Sequence, residues 1–237
     1  MDPAPSAMAV ATFAILSLAG MRSSDTCKHL LRVQNYVQTL AQHVQSQPRF
    51  ATVLTNDYIR ALYQWVPLHD LGTAGVPDRI LLKPSSLTPS EFEIIKSHTT
   101  MAVEAIANAE KMFGLPPEPL QIVKELVCSH HEKWDGSGYP YGLAGEKIPL
   151  SARLMSIADV YDALISGRVY RDGMPHDAAV AIIFQGRASQ FDPDLVDAFI
   201  EIQDQFQDIA QRYSDTDDDM QKKIEYMANA IAENAEF

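Results

Sequence analysis

Hydrophobic positions recur at three- and four-residue spacing along most of the chain, the period of a helix with one buried face. The pattern is clear in FDPDLVDAFIEIQDQF, where Leu195, Phe199, Ile202 and Phe206 share one face. Asp192, followed by a proline, gives this helix a typical start. Alternating patterns typical of strands are scarce. The other predicted helices span residues 25–44, 51–65, 119–131, 150–166, 177–184 and 218–235.

A further capped helix is predicted in TPSEFEIIKSHTTMAVEAIANAEKMF. Thr88 precedes Pro89, and Glu91 follows it by three residues, which is the spacing of a capping box. His98 would then lie in the middle of a helix. Residues 72–87 and 132–149 lack helical periodicity and are predicted as loops. Together these elements predict an all-α fold, a helical bundle.

The longest apolar run, AMAVATFAILSLAGM, covers residues 7–21. It is shorter than the ~20 residues that cross a bilayer, and no Lys or Arg precedes it as in a signal peptide. It therefore predicts a helix that packs on its own domain or on a second copy, with no membrane span. We expect three parts: a linking and dimerisation helix (1–22), a main domain (23–213) and an acidic helical extension (214–237).

Charge and cysteine content narrow the class of protein. The net charge of -12 repels long nucleic acids. Half of it falls in residues 203–237, where nine acidic residues face three basic ones. Only two cysteines occur and no CxxC motif, which indicates a reducing compartment, most simply the cytoplasm, and excludes a thiolate zinc site.

Several histidines fall where a bundle could gather them. A single helical histidine is more often an ordinary hydrogen-bonded residue. Here several lie close to an acid or to one another: Asp25 with His29, His69 with Asp70, and the pair His130–His131. His98 and Asp159 lie on further predicted helices. Imidazole and carboxylate without thiolate suit iron, manganese, nickel or zinc. Two such metals about 3.5–4 Å apart, bridged by an aspartate, serve phosphoester hydrolysis.

Three motifs carry a resemblance to a known family. HD at 69–70, HHE at 130–132 and DGSGYP at 135–140 resemble the HD-GYP family, a branch of the HD-domain metal-dependent phosphohydrolases. The likeness runs over roughly residues 17–213. It implies an HD-type helical bundle with additional C-terminal helices and a GYP loop. The family hydrolyses cyclic dinucleotides, chiefly cyclic di-GMP, at a two- or three-metal centre.

The resemblance also implies roles for particular residues. The implied metal ligands are Asp25, His29, His69, Asp70, His98, His130, His131 and Asp159, with Asp70 as the bridge. The implied catalytic residues are His69, Asp70 and Thr73, and the implied substrate contacts are Gly138, Tyr139, Arg168 and Arg171. Tyr139 would stack on a guanine, and an arginine fork would bind phosphate or guanine. The alternatives are a structural loop with a buried Tyr139 and surface ion pairs for the arginines.

Two positions depart from the family pattern. The motif reads HDLGT, with Thr73 where the family usually has a lysine. The lost charge predicts weaker activity or a changed preference, for example toward 3'3'-cyclic GMP-AMP. Asp25 stands where many members have a longer glutamate. This shorter side chain favours two divalent metal ions over three. Iron or manganese is expected ahead of nickel or zinc.

Different functions remain open at this point. The first is a hydrolase of bacterial second-messenger signalling that converts cyclic di-GMP to linear pGpG and on to GMP. The second is a catalytically weak module that binds cyclic di-GMP or docks on a diguanylate cyclase. A third is a phosphohydrolase of other nucleotides, against which the GYP motif counts. We expect a homodimer, and an upstream receiver or sensor domain if the chain is a fragment.

Overall fold

The computed structural model describes residues 27–83, 85–116, 118–167 and 173–235. These residues form α-helices, turns and short 3-10 segments, with no strand among them beyond one isolated bridge. The predicted all-α class is therefore confirmed. The helices are α1 (Cys27–Val44), α2 (Asn56–Trp65), α3 (Asp78–Leu81), α4 (Pro89–Lys96), α5 (His98–Phe113), α6 (Gln121–Ser129), α7 (Leu150–Ile165), α8 (His176–Gln185), α9 (Pro193–Glu201), α10 (Gln203–Arg212) and α11 (Asp217–Ala235).

Helix α1 forms the centre of the main core. It packs against α2 and α7 and also contacts α9 and α10. The Tyr36 ring stacks on Phe206 of α10 at 4.7 Å and meets Tyr161 of α7 edge-on at 5.3 Å. The four apolar residues predicted for one helix face in the Asp192 segment are all buried. Burial of each such side chain stabilises the fold by about 1.5–3 kcal/mol. The prediction of a single helix there was wrong, because α9 ends at Glu201 and α10 begins at Gln203, with Ile202 out of helical geometry between them.

Local hydrogen bonds shift several helix boundaries. The helix predicted to begin at residue 51 begins instead at Asn56, where the Thr55 hydroxyl accepts a bond from the Tyr58 N–H. The capping box at Thr88 is confirmed. A mid-helix position for His98 was wrong, because α4 ends at Lys96 and α5 begins at His98. The Ser97 hydroxyl donates to the Ile94 carbonyl at 2.6 Å, an alternative to continued helical bonding.

The predicted loops are more ordered than their composition suggested. The stretch 72–87 contains most of a 3-10 turn, Leu71–Gly75, and the short helix α3. The stretch 132–149 contains a 3-10 turn at Gly145–Lys147. Their backbone bends were invisible to a search for helical periodicity, because a turn of three to five residues has no repeat.

The acidic extension begins against the first helix. The Lys28 ammonium donates to the Ser214 carbonyl at 2.8 Å and lies 2.7 Å from the Asp219 carboxylate. Helix α11 also contacts α3. The predicted linking helix 1–22 and the implied residues Asp25, Arg168 and Arg171 lie outside the described residues. None of the described helices combines the length and apolarity that a membrane span requires.

Candidate metal centre

Histidines and aspartates from five separate segments meet at one end of the core. His29 comes from α1 and Asp159 from α7, while the other segments are the turn after α2, the start of α5 and the end of α6. They form two groups, and within each group the ligand atoms lie within 4.8 Å of one another. The first cluster is Asp70, His98, His130 and His131, and the second cluster is His29, His69 and Asp159. The structure thus brings together every implied ligand that it describes.

The Asp70 carboxylate lies between the two clusters. Its Oδ1 atom is 3.4 Å from Nε2 of both His98 and His130. Its Oδ2 atom is 3.4 Å from Nε2 of His69, which belongs to the second cluster. One oxygen therefore faces each cluster, as a bridging carboxylate requires.

Backbone carbonyls set the orientation of three histidine rings. Nδ1 of His69 lies 3.0 Å from the carbonyl oxygen of the residue three positions earlier, and Nδ1 of His98 lies 2.7 Å from the carbonyl oxygen three positions before it. Nδ1 of His130 lies 3.2 Å from the carbonyl four residues earlier. A carbonyl only accepts, so in the neutral form of each ring Nδ1 carries the hydrogen and Nε2 keeps a lone pair. All three lone pairs point toward Asp70.

His29 is oriented by a side chain instead of a carbonyl. Its Nδ1–H donates to Oδ2 of Asp162 at 2.9 Å. On the opposite edge of the ring, Nε2 lies 3.5 Å from Nε2 of His69 and 4.0 Å from Oδ1 of Asp159. The Nε2 atoms of His29 and His69 thus face each other, while the Nδ1 atom of each ring bonds to another group.

These features test whether the residues fit a metal ion. Within the part of the chain that the structure describes, Nε2 of His98 and Nε2 of His130 are buried without a hydrogen-bond partner. Buried acceptors without a partner are unfavourable in a protein interior. A divalent cation would occupy the lone pairs of both and relieve the contact between His29 and His69. Neutral imidazole and carboxylate donors without thiolate fit such an ion.

Charge balance around Asp70 favours an ionised bridge. Partial removal from water opposes ionisation of Asp70, although its side chain is still 43% exposed. Attraction to His69 and the close approach of His130 and His98 hold the pKa of Asp70 well below its usual range. Burial likewise opposes charging of His69, but the Asp70 carboxylate raises the pKa of His69 to about 9. Burial and the neighbouring His130 lower the pKa of His131 well below its usual value. The neutral form of His131 is the form that binds a metal.

The turn that carries Asp70 depends on a close approach to α5. A Cβ atom on Gly72 would lie 1.8 Å from the His98 carbonyl oxygen, so only glycine fits there. The Thr73 hydroxyl donates to the Asp70 carbonyl at 2.7 Å. Thr73 is therefore beside the bridge, with its hydroxyl hydrogen committed to the turn.

The GYP loop covers the first cluster. The Tyr139 ring stacks on the His131 ring, with centroids 4.8 Å apart and an interplanar angle of 27°. Phe92 meets Tyr139 edge-on at 6.2 Å, and the Lys96 ammonium lies 5.6 Å from the centre of the Tyr139 ring. The Tyr139–Pro140 peptide bond is cis. Tyr139 is half-buried and so partly available to a ligand.

Two residues hold this loop in shape. Buried Glu132 accepts the N–H groups of Tyr141 and Leu143 at 2.8 and 3.0 Å, one on each carboxylate oxygen. A Cβ on Gly138 would lie 2.3 Å from the Lys133 nitrogen. Gly138 is thus required by packing, and its substrate contact stays a prediction.

Asp162 and Arg32 were missed by the sequence reasoning. The signal was present, since Asp162 follows Asp159 by three residues and so lies on the same face of a helix. Arg32 follows His29 by the same spacing and donates to both oxygens of Asp162 at 2.6 and 3.0 Å. Although burial opposes it, hydrogen bonding to His29 and the charge of Arg32 lower the pKa of Asp162 to about 2.

Comparisons with known proteins identify the family of this chain. The HD domain family model matches residues 20–195. A cyclic di-GMP phosphodiesterase of Vibrio cholerae is 48% identical over 87% of this chain and 42% of its own length. A 3'3'-cGAMP-specific phosphodiesterase of the same organism is 35% identical over 78% of this chain and 33% of its own length.

A solved structure shares the fold. The cyclic GMP-AMP-specific phosphodiesterase of V. cholerae superposes with a TM-score of 0.53 at 15% identity, over 93% of this chain and 59% of that one. At that identity the likeness concerns the fold alone. The chain spans about half the length of the curated relatives it matches.

Proposed function

Since the chain belongs to the HD domain family, and within it to the HD-GYP branch, we propose that it is a metal-dependent phosphodiesterase of cyclic dinucleotides. Cyclic di-GMP is the proposed substrate, with linear pGpG and then GMP as products. The observation that carries this proposal is the position of Asp70. Its Oδ1 atom lies 3.4 Å from Nε2 of His98 and of His130, and its Oδ2 atom lies 3.4 Å from Nε2 of His69 in the other cluster. That arrangement suits a pair of divalent cations acting on one phosphodiester.

The two clusters divide the work of holding the metals. His98, His130 and His131 would hold one ion, and His29, His69 and Asp159 the other, with Asp70 shared. Two divalent ions there supply Lewis-acid stabilisation of charge on phosphoryl oxygens and acidify a water nucleophile. Iron or manganese suits these ligands best, with nickel or zinc as alternatives. We propose two ions, because a third would depend on Asp25, whose side chain is shorter than the glutamate of many family members.

The chain's own residues would bind and orient the substrate. Tyr139, held against His131, offers a ring on which a guanine can stack, a contact worth about 1–3 kcal/mol. Arg168 and Arg171 would bind phosphate or guanine through their planar forks. Gly138 keeps the loop close enough to the metal ligands for Tyr139 to contact both His131 and a bound guanine.

The HD turn supports a narrower proposal about substrate preference. Thr73 supplies no positive charge where the family usually has lysine, and its hydroxyl hydrogen is bonded to the Asp70 carbonyl. Relatives named for cyclic di-GMP and for 3'3'-cGAMP both match this chain. Preference for 3'3'-cyclic GMP-AMP is therefore the second candidate. A weak catalyst that binds cyclic di-GMP or docks on a diguanylate cyclase is the third.

One assay separates these candidates. Manganese-loaded and iron-loaded protein is incubated with cyclic di-GMP, 3'3'-cyclic GMP-AMP and cyclic di-AMP, and the products are separated by chromatography. Cleavage of cyclic di-GMP above the others supports the first candidate. Cleavage of 3'3'-cyclic GMP-AMP above the others supports the second. Binding without cleavage, with both metals in place, supports the third candidate, the weak catalyst that acts as a binding module.

Thr73→Lys gives a sharper prediction on the same assay. A cation aimed at a transferring phosphoryl group acts mainly on the transition state, and one such contact commonly changes the rate by about a hundredfold. We expect Thr73→Lys to raise the turnover of cyclic di-GMP by up to this factor without changing metal content. Thr100→Lys is the matched control, because Thr100 is exposed and its hydroxyl also donates to a carbonyl three residues earlier. Equal turnover in both variants would contradict the role of position 73.

The remaining proposals concern the setting of the domain. We propose that the enzyme acts in the cytoplasm, where cyclic dinucleotides are made and where two free cysteines stay reduced. The apolar segment 7–21 would join two copies into a homodimer, and an upstream receiver or sensor domain would control it. Light scattering on the full chain and on a chain beginning at residue 23 tests the dimer, which should be lost on truncation.

A further inference from the structure

Asp162 is a buried carboxylate that the proposed reaction does not use. Its side chain is 2% exposed, and it lies on α7 one turn beyond Asp159. Oδ2 accepts the Nδ1–H of His29 at 2.9 Å. Arg32, itself 3% exposed, donates to Oδ1 and Oδ2 at 2.6 and 3.0 Å.

This geometry determines which nitrogen of His29 faces the metal site. An ionised carboxylate accepts hydrogen bonds and donates none, so the hydrogen of the His29 ring is held on Nδ1. The lone pair is then on Nε2, which faces His69 and Asp159. Arg32 has only donors, and its two parallel bonds keep the carboxylate in place.

We propose that Asp162 is a positioning residue for the second cluster, in which it fixes His29 in the tautomer and orientation that direct Nε2 into the metal site. The inference rests on the proposed metal centre and deepens it, because it assigns the orientation of one ligand of the second cluster, His29, to a single buried carboxylate. The first cluster lacks this dependence. His98 and His130 donate to carbonyls of their own segments, which no side-chain substitution removes.

Arg32 carries the link beyond the centre. Its Nη1 atom donates to the Tyr213 carbonyl at 2.9 Å and to Oδ2 of Asp215 at 3.0 Å. The segment that precedes α11 therefore fixes the guanidinium that fixes Asp162. A change at Asp215 is expected to reach the second cluster through these two residues, with a smaller effect than a change at Asp162.

The test is a manganese titration of the metal-free full chain, with free Mn²⁺ measured by electron paramagnetic resonance. Wild type is expected to bind in two steps. Asp162→Asn keeps the size of the side chain and should weaken one step by about 10–100-fold, the usual effect of losing an outer partner of a ligand. The other step should change by less than about twofold. Equal weakening of both steps, or of neither, overturns the proposal, since a general loss of stability affects both clusters.

A spectroscopic measurement tests the tautomer itself. Ring-nitrogen correlation spectra of the metal-free protein should show wild-type His29 with its hydrogen on Nδ1, the signal being assigned through its absence in His29→Gln. In Asp162→Asn we expect a mixture of the two tautomers. An unchanged single tautomer overturns the proposal.

Further variants keep the proposal testable if Asp162→Asn does not fold. Asp215→Asn, at a side chain 12% exposed, should weaken the same single step by about 2–5-fold. Asp197→Asn is the control, because its carboxylate pairs with Arg187 on the surface, and both steps should stay as in wild type. An Asp215→Asn protein with unaltered steps, beside an unfolded Asp162→Asn, overturns the inference. Wild type that binds no Mn²⁺ removes the proposed metal centre as well.

Discussion

The two halves of the metal centre differ in how their histidines are held. In the first cluster, His98 and His130 donate to carbonyls three and four residues earlier in the chain. In the second cluster, His29 donates to Asp162, which is 133 residues away. Local backbone carbonyls thus hold two histidines of the first cluster and His69 of the second, whereas His29 depends on a chain of side chains from distant helices.

This difference teaches where each half is sensitive to change. Local carbonyls are present whatever the neighbouring side chains are, so the first cluster responds to shifts of backbone. The second cluster responds to single side-chain substitutions, because the Asp162 side chain holds His29 and the Arg32 side chain holds Asp162. Three substitutions test this contrast, beginning with the residue that both halves share.

Asp70→Ala is expected to have the largest effect. It removes an oxygen from each cluster, so both Mn²⁺ binding steps should weaken, and turnover should fall by more than the roughly 10–100-fold typical of outer partners. Metal analysis and product chromatography measure the two effects. Asp57→Ala is the control, since Asp57 is 89% exposed and pairs with Arg60 in the same turn. A variant that keeps one step at full strength would show that the carboxylate serves one cluster alone.

Gly72→Ala is expected to affect the first cluster through the backbone. The added Cβ would overlap the His98 carbonyl at 1.8 Å, so the turn that carries Asp70 must move away from α5. We expect a loss of about 3 kcal/mol in the free energy of unfolding, and a weaker first-cluster step. Urea denaturation and Mn²⁺ titration measure these changes.

Gly75→Ala is the matched control in the same turn. There the added atom would meet only the sulfur of Met101 at 2.9 Å, at the end of a flexible side chain. We expect a change within about 0.5 kcal/mol. Equal losses in the two variants would mean that the turn tolerates no side chain anywhere, and the specific contact with α5 would not explain the result.

Glu132→Gln is expected to have the smallest effect, although Glu132 adjoins two ligands of the first cluster. Its oxygens accept N–H groups from Tyr141 and Leu143, and glutamine replaces one oxygen by a donor. The free energy of unfolding should fall by about 1–2 kcal/mol, since a buried N–H loses its acceptor. KM should rise while both Mn²⁺ steps stay unchanged. Loss of a metal step would instead make Glu132 a ligand.

Much of the site could be predicted from the sequence because its ligands are unusual in helices. His69–Asp70 and His130–His131 stand out by type and pairing, and the structure brings them together with His98. The start of α4 could also be predicted from the sequence. Thr88, Pro89 and Glu91 each favour a position in the first turn of a helix, and tertiary packing did not override this preference.

The rest depended on contacts between distant segments. The helix break at Ser97 is a local exception, because Ser97 and His98 each donate to a carbonyl three residues earlier, and hydrophobic spacing does not reveal such bonds. Gly72 and Gly138 look like ordinary loop glycines until the neighbouring backbone is in place. Asp162 resembles a surface acid until Arg32 and His29 enclose it. Spacing predicted which residues share a face, and it could not predict what that face would meet.

The contacts of Arg32 also bear on the order in which the centre forms during synthesis. All the residues of the first cluster lie between 70 and 131, so they can meet soon after that stretch leaves the ribosome. His29 is made before them, but its partner Asp162 follows 133 residues later, and the Arg32 contact with Asp215 spans 183 residues. Closing such long loops is slow compared with local folding. We therefore expect His29, which precedes the other ligands of the two clusters in the sequence, to be the last of them to be oriented, because its partner Asp162 follows all of them.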